Sequence, residues 1–178
     1  ASTCIAGWNT SNGLWIDMNG DLVSEVNVDD TRRGCAQRYD IQTWDSWIHI
    51  VGVGDAAGGQ TLLYVNGTRI GQPNTYTPGI ITSRTGPFMA GGIANQYFQG
   101  IIDDVRLYNR ALTEEEVDQR YNDDLLITSG LVLRWDFDEG DGTVVNDTSG
   151  NGNHGGFAFP NQAGTAYGDS RNSETPFT

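Results

Sequence analysis

The sequence predicts an all-β protein, a sandwich or barrel of short antiparallel strands with one short helix. Three observations predict it: apolar runs of strand length, Asn-Gly pairs suited to hairpin turns, and turn signals at roughly 8–12-residue intervals. Of the 178 residues, 37% are hydrophobic, which is enough to form a core. The length suits one ordinary domain.

Seven runs have the length and composition of strands. They are Gly13–Met18, Leu22–Val28, Trp47–Gly54, Gln60–Val65, Thr68–Gly71, Phe98–Tyr108 and Leu131–Phe137. Asn19-Gly20 and Asn66-Gly67 separate neighbouring runs and predict two hairpins. The run from Trp47 is almost continuously apolar, which indicates a strand buried on both faces.

One helix is predicted after Thr113. The hydroxyl of Thr113 is placed to cap the amide of Glu116, while the Glu116 carboxylate reaches back to the Thr113 amide, which is a capping box. Acidic residues fill the first turn and Arg120 lies in the last, as the helix dipole favours. About two turns fit before Asn122, so this helix is an accessory element.

Two stretches of the chain resemble a known family. The first contains W-x-H-I-V-G-V at Trp47–Val53, L-Y-V-N-G at Leu63–Gly67, and F-x-G-I-I-D-D-V-R-L-Y-N-R-A-L-T-x-x-E-V at Phe98–Val117. It resembles the C-terminal half of bacterial laminin G-like domains of the concanavalin A-like lectin/glucanase superfamily. The second, Gly130–Gly155, resembles the opening strand and loop of the same family. The resemblance implies a two-sheet antiparallel jelly-roll sandwich, frequently with calcium.

The order of these motifs differs from the family, because the closing-strand motif precedes the opening-strand motif. The usual segment between them, which carries another core strand or two, is not recognisable. The chain divides into a C-terminal-type portion (1–122), an opening strand with a calcium-type loop (123–156) and an extended tail (157–178). The domain is then circularly permuted, a piece of a tandem array, or completed by strand exchange with a neighbouring subunit.

Oxygen-rich loops predict a calcium site, because Ca²⁺ prefers six to eight oxygen ligands. In the resembled family, the paired aspartates of the closing strand and the opening loop meet around calcium, and Asp103 and Asp104 match that pair. The predicted ligands are Asp103, Asp104, Asp136, Asp138, Asp147, Asn151 and Asn153. The alternative is that these residues form turns and cap backbone amides.

Aromatic side chains among Asn and Asp residues suit a sugar-stacking platform, for which the candidates are Trp8, Trp15, Tyr39 and Trp44. Ordinary core packing is the alternative for each tryptophan. Trp47 and Trp135 lie in the strongest strand patterns and are expected in the core, as is His49. The glucanase pattern E-x-D-x-x-E is absent, so no catalytic residues are expected and the protein is not expected to be an enzyme.

Charge and cysteine usage indicate the environment. A net charge of −13 with no lysine excludes nucleic-acid binding and docking on anionic membranes. Cys4 and Cys35 are predicted to form a disulfide, with two free buried thiols as the alternative. Glycosylation sequons occur at Asn9, Asn66 and Asn146. Together these features favour an extracellular or cell-surface location.

The sequence therefore predicts a calcium-stabilised, non-catalytic laminin G-like module. Its preferred function is that of a structural subunit of a cell-surface or filamentous assembly, joined to copies of itself by strand sharing. The alternative is a carbohydrate-binding module of a secreted protein, with glycans as its partners.

Overall fold

The computed structural model describes residues 3–8, 12–17, 20–37, 46–82, 87–93, 96–123 and 125–156. Within them, antiparallel sheets and one short helix confirm the predicted all-β class. The strands are β1 (Thr3–Trp8), β2 (Asn12–Ile16), β3 (Leu22–Val28), β4 (Thr31–Gln37), β5 (Ile50–Asp55), β6 (Gln60–Val65), β7 (Thr68–Arg69), β8 (Asn74–Thr75), β9 (Phe88–Ala90), β10 (Gly92–Ile93), β11 (Gln96–Tyr97), β12 (Val105–Tyr108), β13 (Leu131–Trp135), β14 (Val144–Val145) and β15 (Gly155–Gly156), and the helix is α1 (Glu114–Asn122).

The first layer of the sandwich, which we call sheet A, has the strand order β4-β3-β2-β1-β9. The predicted hairpin from β2 to β3 is present, with Ile16 paired to Leu22. The next hairpin turns through Asp29 and Asp30, both at positive φ (47° and 59°). This two-residue turn with positive φ at both positions matches the twist of the flanking strands, and Asp tolerates the left-handed region.

The second layer consists of two separate parts. One part is the ladder β5-β6-β7, with β8 also paired to β6, and the other is the pair β12-β13. The predicted strand Gln60–Val65 has the expected bounds and is buried along nearly its whole length. Small hairpins, β10-β11 and β14-β15, complete the described strands.

Among the described residues, the two layers leave a gap between β5 and β12 in the second layer. On one side, β5 lies so close to sheet A that a methyl group on Gly52 would approach Ser24 Oγ to 2.5 Å. On the other side, Val105 of β12 and Leu133 of β13 share a core cluster with residues of β1 and β9. Five strands of sheet A therefore face four long strands among the described residues, with the vacant position opposite β2.

Helix α1 forms as the sequence predicts. Thr113 Oγ1 accepts a hydrogen bond from the Glu116 amide (3.1 Å), and Glu116 Oε2 accepts one from the Thr113 amide (2.9 Å). Arg110 binds both carboxylate oxygens of Glu116 (2.6 and 2.7 Å). This pairing, with the capping hydrogen bond, lowers the pKa of Glu116 to about 2. The helix buries Val117 against Tyr64 on the outer face of the second layer.

The predicted disulfide is wrong, because Cys4 is a free, buried thiol. Cys4 lies on β1 and Cys35 on β4, and β2 and β3 lie between them. Three strand spacings of about 4.8 Å separate the two backbones, far beyond the reach of a disulfide. Burial raises the pKa of the Cys4 thiol to about 12, so it behaves as a small apolar core group.

The expectation that Trp47 lies in the core is also wrong. Its side chain is 62% exposed, and the strand predicted from Trp47 begins only at Ile50. Trp135, in contrast, is buried as predicted, with its ring tilted against Phe88 and edge-on to Phe137. The apolar run predicted a strand correctly, but burial on both faces was wrong, because Val53 is the one buried residue of β5 and the first residues of the run form the open rim of the layer.

The strand expected to open the domain pairs within its own chain. β13 forms an antiparallel ladder with β12, from Val105 opposite Trp135 to Tyr108 opposite Leu131. An isolated bridge joins Trp135 to Asp147 on the other side of β13. The segment from Leu131 therefore completes the edge of its own second layer in this structure.

Candidate strand-binding slot

The open position in the second layer is a cavity of about 890 Å³, which we call the slot. Its two walls are the edges of β5 and β12. Consecutive residues 46–54 line one wall and consecutive residues 100–110 line the other. Side chains alternate between the two faces of a strand, so a cavity that lies on one face is lined by every second residue. A cavity lined by every consecutive residue must therefore lie beside the backbone edge of the strand. Among the described residues, β5 pairs only with β6 and β12 only with β13.

The hydrogen-bond pattern shows which backbone groups of β5 point into the slot. His49 O accepts a hydrogen bond from the Asn66 amide (2.8 Å), so His49 faces β6. Antiparallel ladders alternate the direction of successive residues. Ile50, Gly52 and Gly54 therefore direct their N–H and C=O groups toward the slot.

The floor of the slot is the inner face of sheet A. It is apolar and includes Leu14 and Ile16 of β2 together with Ile5 of β1. Phe98 and Ile102, which lie between β11 and β12, pack against the same core cluster. A strand placed in the slot would therefore rest on a surface of the same kind as that beneath β5.

A cluster of polar side chains forms the side of the slot nearest α1, which we call the roof. Asp104, which has a positive φ of 51°, accepts hydrogen bonds from Arg106 (2.8 Å) and Arg120 (2.5 Å). The His49 ring stacks on Tyr121 at 5.7 Å. Burial and the nearby Arg120 lower the pKa of His49, against the opposing effect of Asp104.

Two roof side chains carry buried polar atoms with no hydrogen-bond partner among the described residues. These atoms are Nε and Nη1 of Arg106 and Nδ1 of His49. The Arg106 side chain is only 10% exposed and lines the slot. Buried guanidinium donors are costly when unpaired, so an occupant that offers oxygen acceptors would be favoured here.

Exposed apolar side chains border the slot. Trp47 is 62% exposed and Ile101 is 55% exposed, and both belong to its lining. Neighbouring apolar groups exposed beside an apolar cavity are typical of a surface that another chain covers.

The predicted calcium ligands fall into two groups rather than one cage. Asp103 lies close to Asp136 and Asp138. Burial, together with the charges of Asp104 and these two neighbours, raises the pKa of Asp103. No set of three or more acidic, His or Cys side chains in the described ranges is arranged to hold a metal ion. Calcium binding by these residues stays a prediction.

The second group closes a loop onto β13. The carboxylate of Asp147 accepts hydrogen bonds from the amides of Arg134 (2.9 Å), Ser149 (2.9 Å) and Asn153 (2.8 Å). Asn151 and Asn153 donate their side-chain amides to the carbonyl of Val132 (3.1 and 2.8 Å). These contacts match the alternative that the residues form turns and cap backbone groups.

The predicted sugar platform is not assembled by its described members. Trp15 is only 5% exposed and packs with Cys4 on the face of sheet A opposite the slot, so its ring cannot stack on a sugar. Trp8 packs edge-on against Phe88 at 4.9 Å. Tyr39 and Trp44 lie outside the described residues.

The sequons are in different settings. Asn146 is exposed, while Asn66 is half-buried and its side-chain oxygen accepts the His49 amide (3.0 Å). Asn9 lies outside the described residues, and glycosylation of all three stays a prediction. The described part of the chain has no helix of the length and apolarity needed to span a lipid bilayer.

Two solved structures are similar to this chain. A "putative carbohydrate binding protein" from Bacteroides ovatus shares 21% identity with a TM-score of 0.62, over 86% of this chain and 46% of that one. This chain therefore spans less than half the length of that protein. An S-layer domain-containing protein from Clostridium thermocellum shares 20% identity with a TM-score of 0.36, over 67% of this chain and 62% of that one.

No curated protein sequence is significantly similar to this chain. The likeness to the Bacteroides ovatus protein shows a common fold. Residues 2–118 match the laminin G-like family Laminin_G_3, of the Concanavalin A-like lectin/glucanases superfamily. The stretch Gly130–Gly155, which also resembles that family, lies outside the matched residues. Since the match covers well over half of the 178 residues, the chain belongs to this laminin G-like family.

Proposed function

We propose that this chain is a non-catalytic laminin G-like subunit of an extracellular assembly, in which the slot accepts a β-strand from a neighbouring copy. The observation that carries the proposal is the slot itself, with two strand edges as walls, an apolar floor and a roof under α1. Addition of a strand to open sheet edges is an established mode of recognition between proteins.

The walls favour a strand over a small apolar ligand. Ile50, Gly52 and Gly54 direct backbone donors and acceptors into the slot, where Gly52 is exposed, and an occupant of the slot would bury these groups. Buried backbone groups require hydrogen-bond partners, and a small hydrocarbon ligand supplies none. A strand supplies a partner for every second residue on each wall.

Amide hydrogen exchange followed by NMR tests the proposal on the unaltered protein. Ile50, Gly52 and Gly54 should become protected as protein concentration rises, because a neighbour's strand then pairs with them. Val51 and Val53 serve as internal controls, since their amides bond to β6 in either state. If the three slot amides exchange equally fast at every concentration, no strand enters the slot.

Surface variants give an independent test by light scattering. Trp47→Ser and Ile101→Ser should each weaken association by about tenfold or more, because each removes an apolar side chain that the partner would bury. Leu125→Ser and Leu126→Ser are matched controls, since both side chains are similarly exposed but do not line the slot. Equal loss in all four variants would indicate non-specific association instead.

Carbohydrate binding is the second candidate. Trp47 (62% exposed) and Tyr121 (45% exposed) are aromatic surfaces beside the polar roof residues His49 and Asp104, which suits stacking on a sugar ring. The name of the Bacteroides ovatus protein is consistent with this activity. Binding on a glycan array that Tyr121→Ala abolishes, with slot amides unprotected, would favour this function over strand acceptance.

A further inference from the structure

We propose that the strand entering the slot is supplied by residues 157–178 of a second copy. This inference rests on the proposed function and names the donor segment. The segment follows Gly156, the last residue of β15, and lies outside the described residues.

Chain length favours residues 157–178 as the donor. The long described strands are already paired inside their own sheets. Apart from residues 157–178, the longest segment outside the described residues is 38–45, which has eight residues. It connects two described stretches of the chain. Residues 157–178 number 22, and the stretch 161–175 between Pro160 and Pro176 contains no proline. Strands of five or six residues are typical, and central strands exclude proline, so this stretch is long enough.

The exit point of the chain favours donation to a neighbour. An isolated backbone bridge joins Asp147 to Trp135 on the edge of β13 that faces away from β12. Gly155 packs directly against the Trp135 ring. Both β12 and β13 therefore lie between the point of exit and the chain's own slot. A donor at one edge and an acceptor elsewhere on the molecule form a head-to-tail contact, which propagates from copy to copy.

The composition of the segment suits the slot. The proline-free stretch 161–175 offers Tyr167 as an aromatic side chain for a floor built from Leu14 and Ile16, and Phe157, Phe159 and Phe177 flank that stretch. Its backbone carbonyls, together with the Asp169 and Glu174 carboxylates, provide acceptors for the unpaired donors of Arg106.

Photo-cross-linking of the full chain tests this assignment. p-Benzoylphenylalanine replaces Tyr167, and ¹⁴N-labelled and ¹⁵N-labelled chains are mixed before irradiation. The expected result is a mixed-isotope cross-link from position 167 to residues 46–54 or 100–110. The same photoreactive group at Leu125 is the control, and it should give no cross-link to these two walls.

Three outcomes would overturn the assignment: cross-links within one chain only, cross-links to surfaces outside the slot, or none. The amide-exchange experiment separates this failure from failure of the proposed function. If Ile50, Gly52 and Gly54 become protected without a mixed-isotope cross-link from position 167, strand acceptance stands and the donor is wrong. If those amides never become protected, the proposed function fails as well.

As a second measurement, Tyr167→Asp should weaken association by about tenfold or more, and an unchanged association would contradict the proposal.

Discussion

Two glycines determine how closely the layers of the sandwich approach. A side chain at Gly52 would approach Ser24 Oγ to 2.5 Å and Leu14 Cδ2 to 2.8 Å, and one at Gly54 would collide with Val26. Neither position has a positive φ, so the requirement for glycine is one of space rather than backbone conformation.

Gly54→Ala should destabilise the protein by about 1–3 kcal/mol, because the added methyl group overpacks the contact with Val26. Urea unfolding measures the change. Gly54→Ala combined with Val26→Ala should recover part of the loss, since the smaller side chain makes room for the methyl group. Additive losses in the double variant would show that the contact is not the cause.

Calcium binding by the aspartates around Asp103 remains a prediction. Calcium bound between Asp103, Asp136 and Asp138 would reduce their mutual repulsion and raise the melting temperature of chelator-treated protein. Asp138→Asn should remove that rise, while Asp141→Asn, in the same exposed loop, should keep it. No rise on adding calcium would mean that these carboxylates do not form a calcium site.

The loop after β14 is held to β13 by one carboxylate. Asp147 is only 7% exposed, and burial by itself would raise its pKa. Hydrogen bonds from the Ser149 side chain and from the amides of Arg134, Asn153 and Ser149 outweigh that effect and lower the pKa to about 2. The folded state therefore favours the ionised form more strongly than the unfolded chain does.

This difference predicts how stability depends on pH. The ordinary pKa of the carboxyl is 3.8, so its contribution is complete above that pH and is lost as pH falls toward 2. Asp147→Asn should cost about 1–2 kcal/mol at pH 7 and less at pH 2.5, as measured by urea unfolding. Asp141→Asn is the control, and a deficit for Asp147→Asn that does not shrink in acid would contradict this account.

In the part of the chain that the structure describes, the second layer has a gap between β5 and β12, and the whole chain carries a net charge of −13. The vacant position favours association, because it exposes apolar side chains and unpaired strand edges. The charge opposes association, because two copies of the same sign repel each other. Salt shifts this balance, since the Debye length falls from about 30 Å at 0.01 M to about 8 Å at 0.15 M.

Association between copies should therefore strengthen when sodium chloride is raised from about 10 to about 150 mM. Over this range the Debye length becomes shorter, so the repulsion between copies is more strongly screened. Sedimentation velocity measures the change, and Trp47→Ser, at the same salt concentrations, should show a weaker increase. Association that weakens with salt would indicate an interface held by charge pairs instead of an inserted strand.

Local patterns were sufficient for about half of the described elements, while strands such as β1 and β4 of sheet A were not predicted. The apolar run of β3, the run of β6 and the capping box at Thr113 all predicted elements at or near their observed positions. Each depends on side chains a few residues apart, so the sequence alone carries the information. The motif at residues 98–117 also identified the family, because it fixes a strand, a turn and a helix together.

Properties that depend on contacts between distant segments were decided only by the tertiary structure. Cys4 and Cys35 looked like a pair, yet the strand order places two strands between them. Trp47 looked like a core residue, yet it lies at the rim because no described strand covers the edge beside it. The unusual motif order indicated incomplete closure, but only the opposition of five strands to four located the slot. Strand composition is encoded locally, whereas strand order and the space left between layers depend on how the whole chain packs.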